Sequence, residues 1–148
     1  MNIAVVRSNG SYYTRPDTTM ERESRDFYVP DDCESVCARR CVYARIVKAG
    51  KAVATKFAGR YLDGGFGEGV LLYGVYQTVK EEDPYIDYST FLFPASSTSD
   101  DEIAGRFAAA LEKVTRHTSV RIGDVICIET DETLQGKRGD TLFDINLK

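Results

Sequence analysis

Apolar and polar positions alternate with a period of two from Val36 to Lys48. Val36, Ala38, Val42, Ala44 and Ile46 share one phase, broken only by Arg40, and Cys37, Arg39, Cys41, Tyr43 and Arg45 share the other. That pattern predicts a strand with two different faces. The opening NIAVVRSNGSYYTRP reads as two short strands joined by an Asn-Gly turn, the second ended by Pro16. Residues 17–26 are polar without period and are expected as a loop. KAGK at 48–51 predicts a turn, and residues 52–65 a short amphipathic helix closed by Gly64 and Gly65. FGEGVLLYGVYQTV (66–79) reads as a strand whose glycines permit a bulge or close backbone approach.

Farther along, residues 80–89 are expected as a surface loop and TFLFP (90–94) as a buried strand. The segment 97–117 predicts the longest helix. Ser99 and Glu102 form a capping box, Asp100 and Asp101 suit its positive end, and Ile103, Phe107, Leu111 and Val114 make the apolar stripe. VRIGDVICIET (120–130) and GDTLFDINLK (139–148) predict closing strands, the last alternating Phe143, Ile145 and Leu147 against polar neighbours. The expected class is α+β, dominated by strands, in a single domain spanning 1–148.

Composition narrows the function classes. With 148 residues, 43% of them hydrophobic, the chain can bury a core without disulfides or a structural metal. A net charge of −4 argues against a nucleic-acid binder, since phosphate backbones demand a basic face. No run reaches the length of a membrane span, and the first residues are too weakly apolar for a signal peptide. A cytoplasmic setting with reduced thiols is therefore expected.

The candidate chemistry begins with Cys33, Cys37 and Cys41, spaced by four and so on one face of either a strand or a helix. Structural zinc takes four ligands in paired short spacings, whereas here the other thiol is Cys127 and the single histidine is His117. Arg39 and Arg40 between the thiols repel a cation. Small residues packing a strand face are the simpler expectation. His117 sits at a helix carbonyl end, where it is comfortable without a catalytic role. RGD at Arg138–Asp140 is expected as a turn, and GGFGEG (64–69) lacks the spacing of a phosphate loop.

Several segments in order carry a resemblance. RPDTTM (15–20) is followed by Arg45-Ile46, Gly50-Lys51 and Phe57-Ala58-Gly59-Arg60-Tyr61-Leu62-Asp63. Then come the Gly-rich strand, the helix with its Ile-Gly-Asp turn and ICIET (103–130), and LFDINLK at the end. Together they resemble the fumarylacetoacetate hydrolase family. The resemblance implies a mixed β-sheet roll similar to that family's C-terminal domain, with one short and one longer helix. It also implies dimers and a divalent cation, usually magnesium. In the family a Glu-x-Glu on the first long strand and an Asp on the Gly-rich strand hold that ion against a diketo or oxo acid. A histidine two residues before the first Glu often activates water.

Anchoring on Arg45-Ile46 and Gly50-Lys51 places the Glu-x-Glu at Arg39 and Cys41, the histidine at Cys37 and the aspartate at Val70. The following Arg-Asp pair falls on Gly74 and Val75, and DETLQGK (131–137) shares nothing with the family's substrate loop. The nearest substitute carboxylate on that strand is Glu68. The resemblance thus implies a shortened, degenerate member with no metal and no cofactor. It would act as a structural or interaction protein, paired with itself or with an active relative. A second reading is a metal-independent binder of small carboxylates, using Arg39 and Arg15 as the cations. A divergent hydrolase, isomerase or decarboxylase of oxo acids, with Cys37 or Cys41 as nucleophile, is the third.

Overall fold

The computed structural model describes residues 2–31, 33–75, 89–93 and 101–148. Strands β1 (Asn2–Val6) and β2 (Tyr12–Pro16) form the expected hairpin, and a 3-10 turn at Asp17–Thr19 follows. Next come β3 (Met20–Glu21), β4 (Asp26–Phe27) and the eleven-residue β5 (Ser35–Arg45). A 3-10 helix (Thr55–Arg60), β6 (Gly67–Val75), β7 (Thr90–Leu92) and α1 (Asp101–Thr115) lead to β8 (Val125–Gly136), β9 (Thr141–Leu142) and β10 (Ile145–Leu147). Seven strands form one curled mixed sheet in the order β2-β1-β8-β5-β6-β7-β3, and β4-β10-β9 form a small second sheet.

Most residues of β5 pair on both sides, antiparallel to β6 and to β8, so it is a central strand with its backbone groups engaged along both edges. On the outer face the even positions divide between two apolar clusters. Ala44 and Ile46 pack with Phe107, Leu111 and Val114 of α1, whereas Val36 and Ala38 pack with Leu142, Ile145 and Leu147 of the small sheet. The stripe on α1 is thus the expected one, with Ile103 partly buried at its edge and Phe107 stacked on Phe66 at 4.8 Å between centroids. The inner face gathers residues from nearly every strand of the large sheet, among them Ile3, Val5, Cys41, Tyr43, Leu71, Tyr73, Leu92 and Cys127.

Several boundaries differ from the expectation. Of the 52–65 segment only Thr55–Arg60 is helical, a 3-10 helix instead of an α-helix, and within that turn only Ala58 is buried, so little packing energy favours extending it. Residues 17–26 contain two-residue strands that lack a readable period and exist only through their pairing with β7 and β10. DETLQG continues β8 instead of leaving it, held by the ladder to β5. The final strand is broken into a hairpin, because Phe143 and Asp144 turn at φ of 47° and 66°. Residues 80–88 of the expected loop, and Ser99 and Asp100 at the helix start, lie outside the described residues.

The glycines of β6 meet their expected purpose. A Cβ at Gly67 would collide with the Tyr43 ring opposite it, and one at Gly69 would lie 2.7 Å from the Phe91 carbonyl oxygen. The RGD segment is a structural turn. Asp140 accepts the Lys137 N–H at 2.8 Å, and Arg138 reaches Asp31 at 3.1 Å.

Candidate functional site

The inner face of the sheet carries a buried polar cluster. Arg39 on β5 points there and places Nη1 2.8 Å from Oε2 of Glu129 on β8, whose side chain is 1% exposed. The second oxygen of Glu129 accepts the Tyr73 hydroxyl at 2.7 Å and the Tyr13 hydroxyl at 3.4 Å. The two phenols are 3.3 Å apart. Arg39 Nε also donates to Thr133 Oγ1 at 3.2 Å. One carboxylate therefore holds a guanidinium and two phenols together, a dense set of charge-assisted contacts in a low-dielectric place.

Arg15 closes the other side of the cluster. It is fully buried, its guanidinium lying 4.9 Å from the Tyr73 ring centroid and 5.7 Å from that of Tyr13. Its Nη1 donates to the Ser89 carbonyl and to Thr90 Oγ1, both at 3.2 Å, which ties β2 to β7 across the concavity. The inner face so holds two cations, Arg15 and Arg39, against the carboxylate of Glu129.

Protonation follows from this crowding. Burial is the largest influence on Tyr13, whose hydroxyl is pushed up to about 12 even though Arg15 pulls the other way. Burial raises Tyr73 further still, helped by Tyr13 and by the charge of Glu129. Burial opposes the charge on Arg39, but the hydrogen bond and charge of Glu129 outweigh it and hold the guanidinium more firmly protonated. The Cys41 thiol is raised well above the usual range by its hydrogen bond with Cys127 and by burial. A nucleophilic cysteine needs the reverse shift. All four cysteines are free thiols.

The residues singled out from sequence are only partly brought together. Arg15, Cys37, Arg39 and Cys41 lie on the inner face. Val70 does not. It pairs with Arg40 and packs among Val36, Ala38 and Leu72 on the outer face, while Leu71 pairs with Arg39 and Gly69 with Cys41. Glu68 is two residues from Val70, pairs with Val42 and is exposed on that same outer side. A one-residue difference in register reverses a strand's faces, so the position aligned with the family aspartate looks away from those aligned with its Glu-x-Glu. Cys33 precedes the strand and packs on the outer cluster, so the three cysteines do not share a face. His117 is exposed after the end of α1.

Glu129, Tyr73 and Tyr13 are the members that sequence reasoning missed. Glu129 carried one usable signal, a carboxylate in phase with Val125 and Cys127 at the end of an apolar run. A metal does not fit these residues. Among the described residues no group of three His, Cys, Asp or Glu side chains is placed to hold one. The carboxylate of the inner face is already engaged by Arg39 and Tyr73, and the positions aligned with the paired glutamates are a permanent cation and a buried thiol. Also among the described residues, no helix is long and apolar enough to cross a membrane.

No family model matches the chain, and no curated protein sequence matches it. Solved structures do. A 5-carboxymethyl-2-hydroxymuconate delta-isomerase from Mycobacterium smegmatis matches with a TM-score of 0.77 and 13% identity, over 93% of this chain and 69% of that one. A fumarylpyruvate hydrolase from Pseudomonas aeruginosa, solved with Mn2+ and pyruvate, matches with a TM-score of 0.74 and 11% identity, over 94% and 82%. A Yersinia pestis protein whose name places it in the fumarylacetoacetate hydrolase family matches with a TM-score of 0.66 and 13% identity, over 94% and 84%. The chain has the fold of the fumarylacetoacetate hydrolase family over about 94% of its length.

Proposed function

We propose that this protein is a non-catalytic counterpart of the fumarylacetoacetate hydrolase fold, acting as a structural or interaction protein, as a homodimer or beside an active relative. The observation that carries this reading is the Arg39–Glu129 contact at 2.8 Å. In a hydrolase of this fold solved with Mn2+ and pyruvate, a metal is available to attract a ligand's oxygens. Here Arg39, one of the two cations facing the concavity, is paired with the chain's own carboxylate, with two tyrosines completing the set. A polar network satisfied from within supports the sheet and leaves little electrostatic demand for a substrate.

A second reading keeps a ligand. Two arginines face one carboxylate, and the Arg39 side chain is 36% exposed, so a small oxo or dicarboxylic acid could compete with Glu129 for it. One set of measurements separates the two. The purified protein is assayed with acylpyruvates and oxo acids in Mg2+ or Mn2+, and its melting temperature is followed with pyruvate and dicarboxylates. The structural reading expects no turnover above a chelator-treated control and no ligand-induced shift. A shift that Arg39→Ala abolishes supports the binder instead, and chelator-sensitive turnover sinks both. Sedimentation equilibrium is expected to give a dimer.

A further inference from the structure

A cleft lies between the helix and the end of the sheet, bordering the inner-face cluster at Glu129. Strand β1 ends at Val6 while its parallel neighbour β8 runs on, and α1 crosses beside the gap. The result is a cleft of about 490 Å³ lined by Arg7, Arg106 and Lys113, with Ala109 and Ala110 between the last two. Its size falls within the range of small-molecule sites.

The charge here runs against the rest of the molecule. The chain carries −4 overall, yet three cations converge on this cleft. Arg106 and Lys113 are seven residues apart on α1, on one helix face and about 10 Å apart along the axis. Neither forms an ion pair among the described residues. Two carboxylate residues also line the cleft. Glu129 commits its side chain to Arg39 and the tyrosines, and Asp131 is exposed.

The walls are shaped to keep the space open. Ala109 and Ala110 lie between the two helix cations, where longer side chains would fill the cleft. Arg7 is held by stacking on Tyr13 at 4.9 Å, so its guanidinium is positioned before anything binds. Gly10 turns the adjoining hairpin at φ of 87°, and a Cβ there would lie 2.9 Å from Lys113 Nζ. The hairpin therefore favours glycine for its backbone angle, and the ammonium group of Lys113 lies against it.

We infer that the cleft between α1 and the ends of β1 and β8 binds a small molecule bearing two linked oxyanions, of the diphosphate class. Arg7 and Arg106 offer guanidinium forks from two walls and Lys113 a point charge, the combination that suits phosphate oxygens. Three cations around one cleft favour a ligand carrying several negative charges over a single carboxylate. This inference does not depend on the reading of the inner face.

The test is calorimetric titration of the full chain with pyrophosphate, at low and at physiological salt. Saturable one-to-one binding that weakens as salt rises is expected. Arg106→Glu together with Lys113→Glu should weaken it by at least about tenfold, whereas Lys56→Glu together with Arg60→Glu, an equal charge reversal on the exposed 3-10 helix, should leave it unchanged. If the reversal disturbs α1, Arg106→Gln with Lys113→Gln carries the same expectation in the same direction. Absence of saturable binding up to about 10 mM overturns the inference. So does an equal loss in the Lys56→Glu, Arg60→Glu control, which would mark a response to overall charge.

Discussion

The two faces of β5 are built by opposite means. On the outer face Val36, Ala38, Val42 and Ala44 meet α1 and the small sheet through apolar contact, which is non-directional and tolerant of modest shape change. On the inner face Cys37, Arg39, Cys41 and Tyr43 belong to a set in which Glu129, Tyr73 and Tyr13 depend on particular partners at 2.7–3.4 Å. The outer face holds the molecule together by the area it removes from water. The inner face adds little net stability for its charges, because an ion pair gains mainly what its desolvation costs. What it does is commit the sheet to one arrangement.

The largest expected effect lies on the outer face. Phe107 is fully buried and stacked on Phe66, and Phe107→Ala is expected to cost about 3–5 kcal/mol in urea unfolding. A loss below 1 kcal/mol would mean that α1 does not hold the sheet. On the inner face Glu129→Ala should cost about 2–3 kcal/mol, since Arg39 loses its counter-charge and Tyr73 its acceptor. The double variant Arg39→Met, Glu129→Leu should recover most of that loss. If it is as unstable as the single variant, the network contributes more than mutual satisfaction.

A smaller effect is expected from pH. The Tyr13 hydroxyl sits at about 12 in the folded chain against 10 when unfolded, so above pH 10 the unfolded chain releases its proton first. Its contribution is full below pH 10 and is lost as pH rises toward 12, with the burial-raised Tyr73 acting in the same direction. Urea midpoints should therefore fall between pH 10 and pH 12, and Tyr13→Phe should lessen the slope, about in proportion to the one proton it removes. An unchanged slope would assign the effect to other groups.

How much of this was legible in the sequence depends on distance along the chain. The alternation of β5, the Asn-Gly hairpin and the apolar stripe of α1 are local patterns, and the structure follows them. The pairing of β5 with β6 is not local. Alignment with the family grouped Val70 with Arg39 and Cys41, but the observed register sets Leu71 opposite Arg39 and Gly69 opposite Cys41. Glu129 is 90 residues from Arg39, and nothing short of the folded sheet joins them. The break at Phe143 and Asp144 was hidden because Phe143 is not a usual residue for positive φ and the alternation of Phe143, Ile145 and Leu147 runs straight through it.

One irregularity in the β5–β8 ladder has a wider consequence. Between Cys41 opposite Glu129 and Arg39 opposite Thr133, β5 advances two residues while β8 advances four. The surplus on β8 is two, an even number, so parity survives the detour: side chains that look inward before it look inward after it. Excising two residues there would shorten the hairpin end without turning it inside out. Excising one would send Leu134 inward and Thr133 outward, and no repacking of neighbours could hide the exchange.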